Sequence, residues 1–256
     1  VIVLLVLGIF FRFVNLDQKV YWCDETYTSL RISGYTAEEF VQQVFNRKVI
    51  DVEALQKYKR PNSEKSVIDT IKGLAVEEPQ HSPFYYVMAR FWVQMFGSSV
   101  AVTRSLSALI SLLTFPCIYW LCLELFESPL TGWVSIALIS VSSFHILYAQ
   151  EAREYSLWTV SILLASAALL RAMCKQTKLS WGIYAITLAL SLYSFLFSVW
   201  MAIGHGIYVI LTEGFRLSKT VTGYLLASIA GSLLFAPWFL VVINSYTVYT
   251  TTAWNQ

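Results

Sequence analysis

Charged residues are scarce in this sequence: they make up 13% of its 256 residues, whereas 57% are hydrophobic. Soluble domains carry about a quarter of charged residues, and the mean hydropathy here is +0.58. This balance excludes an ordinary soluble protein and makes a lipid bilayer the expected solvent. More than half of the charged residues lie between Asn15 and Gln80. The composition therefore predicts one polar region set among buried apolar helices.

The chain also lacks a large charge surplus and a cysteine framework. Its formal net charge is +2 and no block of like charge occurs, which excludes nucleic acid as a partner. Only Cys23 of the four cysteines lies in the polar region, so neither a disulfide framework nor a Cys-based zinc site is predicted. The first residues show no basic start or small-residue cleavage site. We interpret residues 1–14 as a truncated first transmembrane helix and the chain as a fragment.

Further apolar runs predict the remaining membrane helices. Four runs are long enough to cross a hydrocarbon core of about 30 Å: Val100–Leu125, Leu130–Tyr148, Tyr155–Met173 and Thr222–Ile243. The run Trp181–Leu211 is too long for one span and predicts a helical hairpin. The fold class predicted is an all-α polytopic membrane protein with about seven transmembrane helices.

Basic turns orient these helices. Phe84–Phe96 is short and contains Arg90, so we expect it to lie in the interface rather than to cross. The turns that carry Lys175 and Lys219 then both fall on the cytoplasmic side, as basic loops prefer. The predicted organisation is a first helix at 1–14, an outer-face loop at 15–99, six further helices at 100–243 and a new outer-face loop at 244–256.

The outer-face loop contains two predicted amphipathic helices. The first occupies Thr36–Arg47, with Thr36 as N-cap and Glu39 three residues later. The second begins at Ser63 or Ser66 and ends near Gly73 or before Pro79. We expect both to lie on the membrane surface.

Three polar clusters near the predicted spans contain the candidate site residues. In YWCDETYTS, Asp24 lies where a half-shielded carboxylate can act as a general base, although an adjacent acidic pair is usually only solvated. In EEPQHSPFYY, His81 precedes the interfacial helix, where loop capping is the simpler role. In YAQEAREYS, Arg153 can bind a phosphate, or it can pair with a neighbouring glutamate.

The combination and order of these clusters is more specific than each alone. The pair Asp24-Glu25 is followed by HSPFYY at 81–86, by Phe96-Gly97 and Arg104, and by YAQEAREY at 148–155. In these motifs the chain resembles the GT-C glycosyltransferases. It is most similar to the bacterial branch of the protein O-mannosyltransferase and aminoarabinose-transferase type, which is glycosyltransferase 39-like.

The resemblance implies an inverting sugar transfer from a polyprenyl-phosphate-linked donor to an acceptor of unknown kind at the outer face of the membrane. It implies that Asp24 is the general base and that Glu25 orients Asp24 or binds the acceptor. Arg153 is the first candidate for the donor phosphate, and Arg104 is the second. The residues implied to line the pocket or bind the acceptor are Glu78, His81, Tyr85, Gln150 and Glu151. From the variant motifs, the resemblance implies a bacterial plasma membrane, with the site expected toward the periplasm or cell exterior.

Two positions depart from the family pattern. Ser82 replaces the first proline of the His-Pro-Pro motif, and Phe195 stands where relatives often carry a histidine. A metal site that uses this histidine is therefore not predicted, and the question of a divalent ion as cofactor stays open. Two other readings also stay open, namely a transporter or lipid scramblase without covalent chemistry and an inactive accessory member of the family.

Overall fold

The computed structural model of the protein describes residues 1–45 and 49–253, with side chains described through residue 245. Within that part of the chain the secondary structure is helical, which confirms the all-α prediction. A 3₁₀ turn at Gln56–Tyr58 follows the fourth helix. The helices are α1 Ile2–Phe13, α2 Cys23–Ser33, α3 Ala37–Val44, α4 Val52–Leu55, α5 Val67–Glu77, α6 Pro83–Phe96, α7 Val100–Leu112, α8 Thr114–Phe126, α9 Pro129–Ser140, α10 Ser143–Ala149, α11 Tyr155–Lys175, α12 Lys178–Ser194, α13 Ser198–Thr212 and α14 Lys219–Ala253.

Three helical segments of the described chain are long and apolar enough to cross a membrane: Val100–Phe126, Tyr155–Lys175 and Lys219–Ser245. The first combines α7 and α8. The pair α9 and α10 makes a fourth if it is counted as one bent span, while α1 and α13 are shorter apolar helices. The protein is thus a membrane protein, and the number seven stays a prediction.

The predicted run Leu130–Tyr148 is not a straight helix. α9 and α10 meet at an angle of 63°. The buried side chain of Arg12, at the end of α1, donates hydrogen bonds to the carbonyl oxygens of Ser140 at 2.7 Å and Ile139 at 3.1 Å. These carbonyls belong to the last turn of α9. At the end of a helix such carbonyl oxygens have no backbone N–H group within the helix to bond to. A cation at this helix C-terminus therefore stabilises the break.

The helices of the second half run between two ends of the bundle. Trp158 bonds to Ser198 at 3.0 Å and Ser166 contacts His205 at 3.1 Å, so α13 runs parallel to α11. The turn after α11 and the start of α14 meet where Gln176 donates to Thr220 at 2.9 Å. Both basic turns thus lie at the same end, which we call the basic end.

The opposite end, which we call the polar end, carries α2 to α6. The N-caps predicted at Thr36 and Ser66 are confirmed, and each forms a capping box. The predicted end of the first of these helices at Arg47 lies outside the described residues, and α3 ends at Val44. α6 is not among the candidate spans of the described chain. Its buried Arg90 donates to the carbonyl oxygen of Ile32 at 2.7 Å and so ties α6 to α2.

The last helix is longer than the predicted span. α14 continues through Ala253, whereas the sequence analysis places the start of a loop at residue 244. Its later part reaches the polar end, because Trp238 donates to the carbonyl oxygen of Pro79 at 3.1 Å and Ser245 to that of Ala75 at 3.0 Å. The helix therefore packs against the loop region instead of ending beneath it.

Candidate active site

The polar end is organised around a fully buried ion pair between Glu25 and Arg104. Both side chains are 0% exposed, and Arg104 binds both carboxylate oxygens of Glu25, from Nε at 2.8 Å and from Nη2 at 2.6 Å. The other N–H groups of Arg104 donate to the backbone oxygens of Leu16, Lys19 and Val20. All five donors of the guanidinium are therefore used. This arrangement leaves none for the donor phosphate that the sequence analysis assigns to Arg104.

Glu25 also links the start of α2 to the turn before α11. Its Oε1 atom accepts a hydrogen bond from the backbone N–H of Ala152 at 2.8 Å. Asp24 precedes Glu25 in α2, and Arg153 follows Ala152. A single buried carboxylate thus holds together the backbone segments that carry the predicted base and the predicted phosphate ligand.

Arg153 lies in a cluster with His81, Tyr86 and Glu154. His81 Nδ1 is 2.8 Å from Glu154 Oε1, and its Nε2 is 3.4 Å from Arg153 Nη2. Since arginine can only donate, His81 Nε2 is the acceptor of that hydrogen bond. The ring proton is therefore on Nδ1, which donates a hydrogen bond to Glu154. Arg153 also donates to the hydroxyl of Tyr86 at 3.3 Å. These contacts of Arg153 are long, so its guanidinium is held less tightly than that of Arg104.

Two buried polar atoms beside Ala152 have no hydrogen-bond partner in the described part of the protein, as is also true of the Nε atoms of Arg12 and Arg90 elsewhere in the fold. They are Arg153 Nε and Glu151 Oε2, although the two side chains are only 5% and 8% exposed. Buried polar atoms are nearly always hydrogen-bonded, so an orphan donor and an orphan acceptor at one turn are unusual. They are the groups of this site that a bound ligand can satisfy.

The charges of the cluster support one another. Burial acts to raise the pKa of Glu154, but the hydrogen bond from His81 and the charge of Arg153 outweigh it and hold that pKa below its ordinary value. Burial acts to lower the pKa of Arg153, and the neighbouring Tyr86, Glu154 and Asp24 raise it above its ordinary value. Both groups therefore stay charged at neutral pH.

Asp24 is the half-exposed member of the site. It is the second residue of α2, after the N-cap Trp22. Its carboxylate accepts no hydrogen bond from the described residues, yet its charge acts on both Arg153 and Tyr155. Asp24 is thus within electrostatic reach of the arginine cluster and is partly exposed to solvent. This is the arrangement that a general base needs to meet an incoming acceptor.

Most of the residues predicted to line the pocket instead make internal contacts. Glu78 pairs with the buried Arg31 at 2.7 Å, and Tyr85 is fully buried with its hydroxyl 2.8 Å from Ser107. Gln150 donates to the backbone oxygens of Phe11 and Val14 at the end of α1. Glu151 pairs with Lys19 at 2.6 Å through Oε1 and keeps Oε2 unpaired. Two of the five differ from the others. His81 contacts Arg153 through Nε2, and Glu151 has one carboxylate oxygen without a partner.

Two cavities lie near the segments that carry Asp24 and Arg153. One, of about 400 Å³, lies beside α2 and is lined by Cys23, Thr26 and Tyr27, which flank Asp24. The other, of about 200 Å³, is lined by Tyr155 and Trp158 of α11 together with the buried Arg12. Tyr155 lies 5.8 Å from the Arg153 guanidinium, so the second cavity adjoins the cluster. The second cavity therefore offers space for a ligand beside the cluster, whereas Asp24 itself is not among the residues that line the first.

A family model described as dolichyl-phosphate-mannose-protein mannosyltransferase matches residues 80–240, more than half of the chain. The chain belongs to this family. It is thus a membrane glycosyltransferase of the GT-C type. Comparison with curated proteins and with solved structures gives no match. The matched range of the mannosyltransferase family contains His81, Arg104 and Arg153, whereas Asp24 and Glu25 precede it.

The two departures from the mannosyltransferase pattern have local explanations. The Ser82 hydroxyl donates to the backbone oxygen of Leu192 at 2.9 Å, which joins the start of α6 to α12. The Phe195 ring stacks on His81 with ring centres 6.1 Å apart. Phe195 thus presents an apolar ring to His81. No group of three potential metal-binding side chains occurs among the described residues.

Glu154 and Tyr86 complete the site, although the sequence analysis assigns them no role in it. Both belong to motifs that were already visible, because Tyr86 ends HSPFYY and Glu154 follows Arg153 directly. The motifs that contain these residues were therefore recognisable. The hydrogen bond between His81 and Glu154 was not predictable, because the two residues are 73 positions apart in the sequence.

Proposed function

We propose that the protein transfers a sugar from a polyprenyl-phosphate-linked donor to an acceptor nucleophile, a hydroxyl or a similar group, at the polar end, with inversion at the sugar carbon. Asp24 takes the proton of the acceptor as its oxygen forms the new bond to the sugar carbon. The bond from that carbon to the phosphate oxygen breaks, and the polyprenyl phosphate leaves with the electron pair. A lipid-linked donor accounts for the placement of this chemistry at a membrane surface.

The observation that carries this proposal is the difference between Arg104 and Arg153, the two arginines predicted to bind the donor phosphate. Arg104 uses every donor within the protein, whereas Arg153 makes only long contacts and keeps Nε unpartnered. A phosphate that gains charge as the glycosidic bond breaks is stabilised by a cation already held at that position. Arg153 is therefore the proposed phosphate ligand, and Arg104 is a positioning residue.

The roles of the neighbouring residues follow from their contacts. Glu154 and His81 orient Arg153, and Tyr86 borders it. Glu25 is proposed as a positioning residue, because it is fully buried and binds the backbone next to Arg153. The acceptor is proposed to approach Asp24 from the cavity beside Cys23 and Tyr27. The polar end is proposed to face the periplasm or cell exterior, because the basic end is expected on the cytoplasmic side.

A transporter or scramblase fits the structure less well. Transporters usually bind substrate near the bilayer midplane, at interrupted helices. Here the charged cluster lies at one end of the bundle. The intramembrane His205 contacts Ser166 at 3.1 Å and Tyr184 at 3.2 Å, which accounts for its ring nitrogens. The buried Arg12, which lies over the Phe115 ring within the span Val100–Phe126, donates to the carbonyl oxygens of Gly8, Ile139 and Ser140 and so serves to cap α9.

The test is a transfer assay with a polyprenyl-phosphate sugar on the purified full chain. Asp24→Asn is expected to lower turnover by about 10²- to 10⁴-fold, because it removes the general base. Arg153→Ala is expected to lower it by about 10²- to 10³-fold. Asp17→Asn and Arg60→Ala are the matched controls, since both residues are exposed. Equal turnover in all variants contradicts the site assignment, and no turnover in wild type favours the accessory alternative.

A further inference from the structure

A groove of about 810 Å³ lies between α12 and α14 at the basic end, far from the candidate active site. Its walls are built from small and apolar residues, among them Gly182, Ala185 and Ala227. Lys178 and Lys219 also line the groove, and they are the first residues of α12 and α14. The groove thus combines an apolar channel along two membrane helices with two cations at its mouth.

The two lysines are not neutralised within the described protein. Both are exposed, and neither forms an ion pair with a described carboxylate. The side chains that line the groove include no aspartate or glutamate. The shape of the groove is set by Trp181, because a methyl group added at Gly223 would come within 2.5 Å of its indole. The absence of a side chain at Gly223 therefore lets the indole form one wall.

We propose that this groove binds an anionic phospholipid from the leaflet at the basic end. Its phosphate lies between the ammonium groups of Lys178 and Lys219, and one acyl chain follows the small residues between α12 and α14. Charge complementarity favours this occupant, since basic pockets between membrane helices bind anionic lipid headgroups. A free anion would contact the two lysines but would leave the apolar channel unfilled. The proposal is independent of the proposed transfer reaction.

The experiment measures lipid binding to the purified full chain in a neutral detergent by native mass spectrometry. Phosphatidylglycerol and phosphatidylcholine with identical acyl chains are the probes. Wild type is expected to prefer phosphatidylglycerol by about tenfold or more, since each lysine near the headgroup favours the anion. Lys178→Gln/Lys219→Gln is expected to abolish this preference. No preference in wild type overturns the proposal.

A matched control separates the groove from general charge. Lys175→Gln/Arg216→Gln removes the same charge at the same end but outside the lining of the groove, and it is expected to keep the preference. Equal losses in the two double variants overturn the proposal, because the attraction is then diffuse.

Two further arms test the acyl chain. Gly182→Leu places a side chain into open space, since nothing lies within 4 Å of a methyl group added at Gly182. This variant is expected to weaken binding of phosphatidylglycerol while both lysines remain. Glycerol 3-phosphate is expected not to compete with the lipid. Unchanged binding in Gly182→Leu, or full competition by glycerol 3-phosphate, overturns the lipid assignment.

Discussion

The carboxylate of Glu25 accepts a hydrogen bond from the backbone N–H of Ala152 at 2.8 Å, across 127 positions of the chain. The same carboxylate is paired with Arg104, and none of these groups contacts solvent to a measurable extent. Because Asp24 and Arg153 are the direct neighbours of the two bonded residues, their separation depends on this one buried contact. Geometry at the proposed site is therefore set by residues that need not touch a substrate.

Breaking this buried pair is expected to cost both stability and activity. Glu25→Ala leaves the Arg104 charge buried without a partner, which typically destabilises by about 3–5 kcal/mol. The exposed Glu53→Ala is the control. Unfolding of the detergent-solubilised protein measures stability, and the transfer assay is expected to show a loss in kcat that exceeds any rise in KM for the donor. An unchanged kcat at full occupancy contradicts a positioning role for Glu25.

Replacing both partners separates the two effects. Glu25→Ala/Arg104→Met removes the unpaired charge, so it is expected to regain much of the stability lost by Glu25→Ala. Turnover is expected to remain low, because nothing then holds the backbone of Ala152. Recovery of stability and turnover together indicates that Glu25 contributes only to folding.

Acid is expected to destabilise the arginine cluster through Glu154. The pKa of this carboxyl is held below its ordinary value of 4.5 in the folded protein. Its ionised form therefore stabilises the fold above about pH 4.5, and this contribution is lost as the pH falls through the lowered folded pKa. Thermal unfolding in detergent between pH 7 and pH 3 is expected to show a smaller pH dependence in Glu154→Gln than in wild type. Identical profiles contradict the expectation.

Local features of the fold were predictable from the sequence, whereas long-range pairing was not. The capping boxes at Thr36 and Ser66 follow from residues three positions apart, and the run Trp181–Leu211, predicted to be a hairpin, is divided between α12 and α13. In contrast, the 63° bend between α9 and α10 depends on Arg12, which lies 128 positions from Ser140. Hydropathy alone cannot reveal this contact, although Ser140, Ser142, Ser143 and His145 interrupt the apolar run at the bend.

The candidate site shows the same division. Motif order predicted Asp24 and Arg153 to belong to one site, and in the structure their neighbours Glu25 and Ala152 are hydrogen-bonded. The roles of Arg104 and Gln150 could not be deduced from the sequence. Arg104 binds the backbone oxygen of Leu16, just after α1, and Gln150 binds that of Phe11, in the last turn of α1. A sequence motif shows which side chains are present. It does not show whether their N–H groups already donate hydrogen bonds to backbone carbonyl oxygens.

Removal of metal ions is expected to leave transfer unchanged. Phe195 stacks on His81, and His81 Nδ1 is occupied by Glu154. The cluster therefore lacks the additional ligands that a bound divalent ion requires. The measurement is turnover after EDTA treatment and dialysis, with and without added Mg²⁺ or Mn²⁺. Loss of turnover that returns with either ion contradicts this prediction.

Close packing of α1 on α9 predicts a strong effect for a single methyl group. A side chain added at Gly8 would come within 2.3 Å of the backbone oxygen of Ser140, which cannot move without disturbing the bond to Arg12. Gly8→Ala is therefore expected to destabilise the protein by about 1–3 kcal/mol. Gly204→Ala is the matched control, because nothing lies within 4 Å of its added methyl group and alanine favours a helix. Thermal unfolding in detergent compares the two, and equal stability contradicts the packing of α1 against the bend that shapes the smaller cavity.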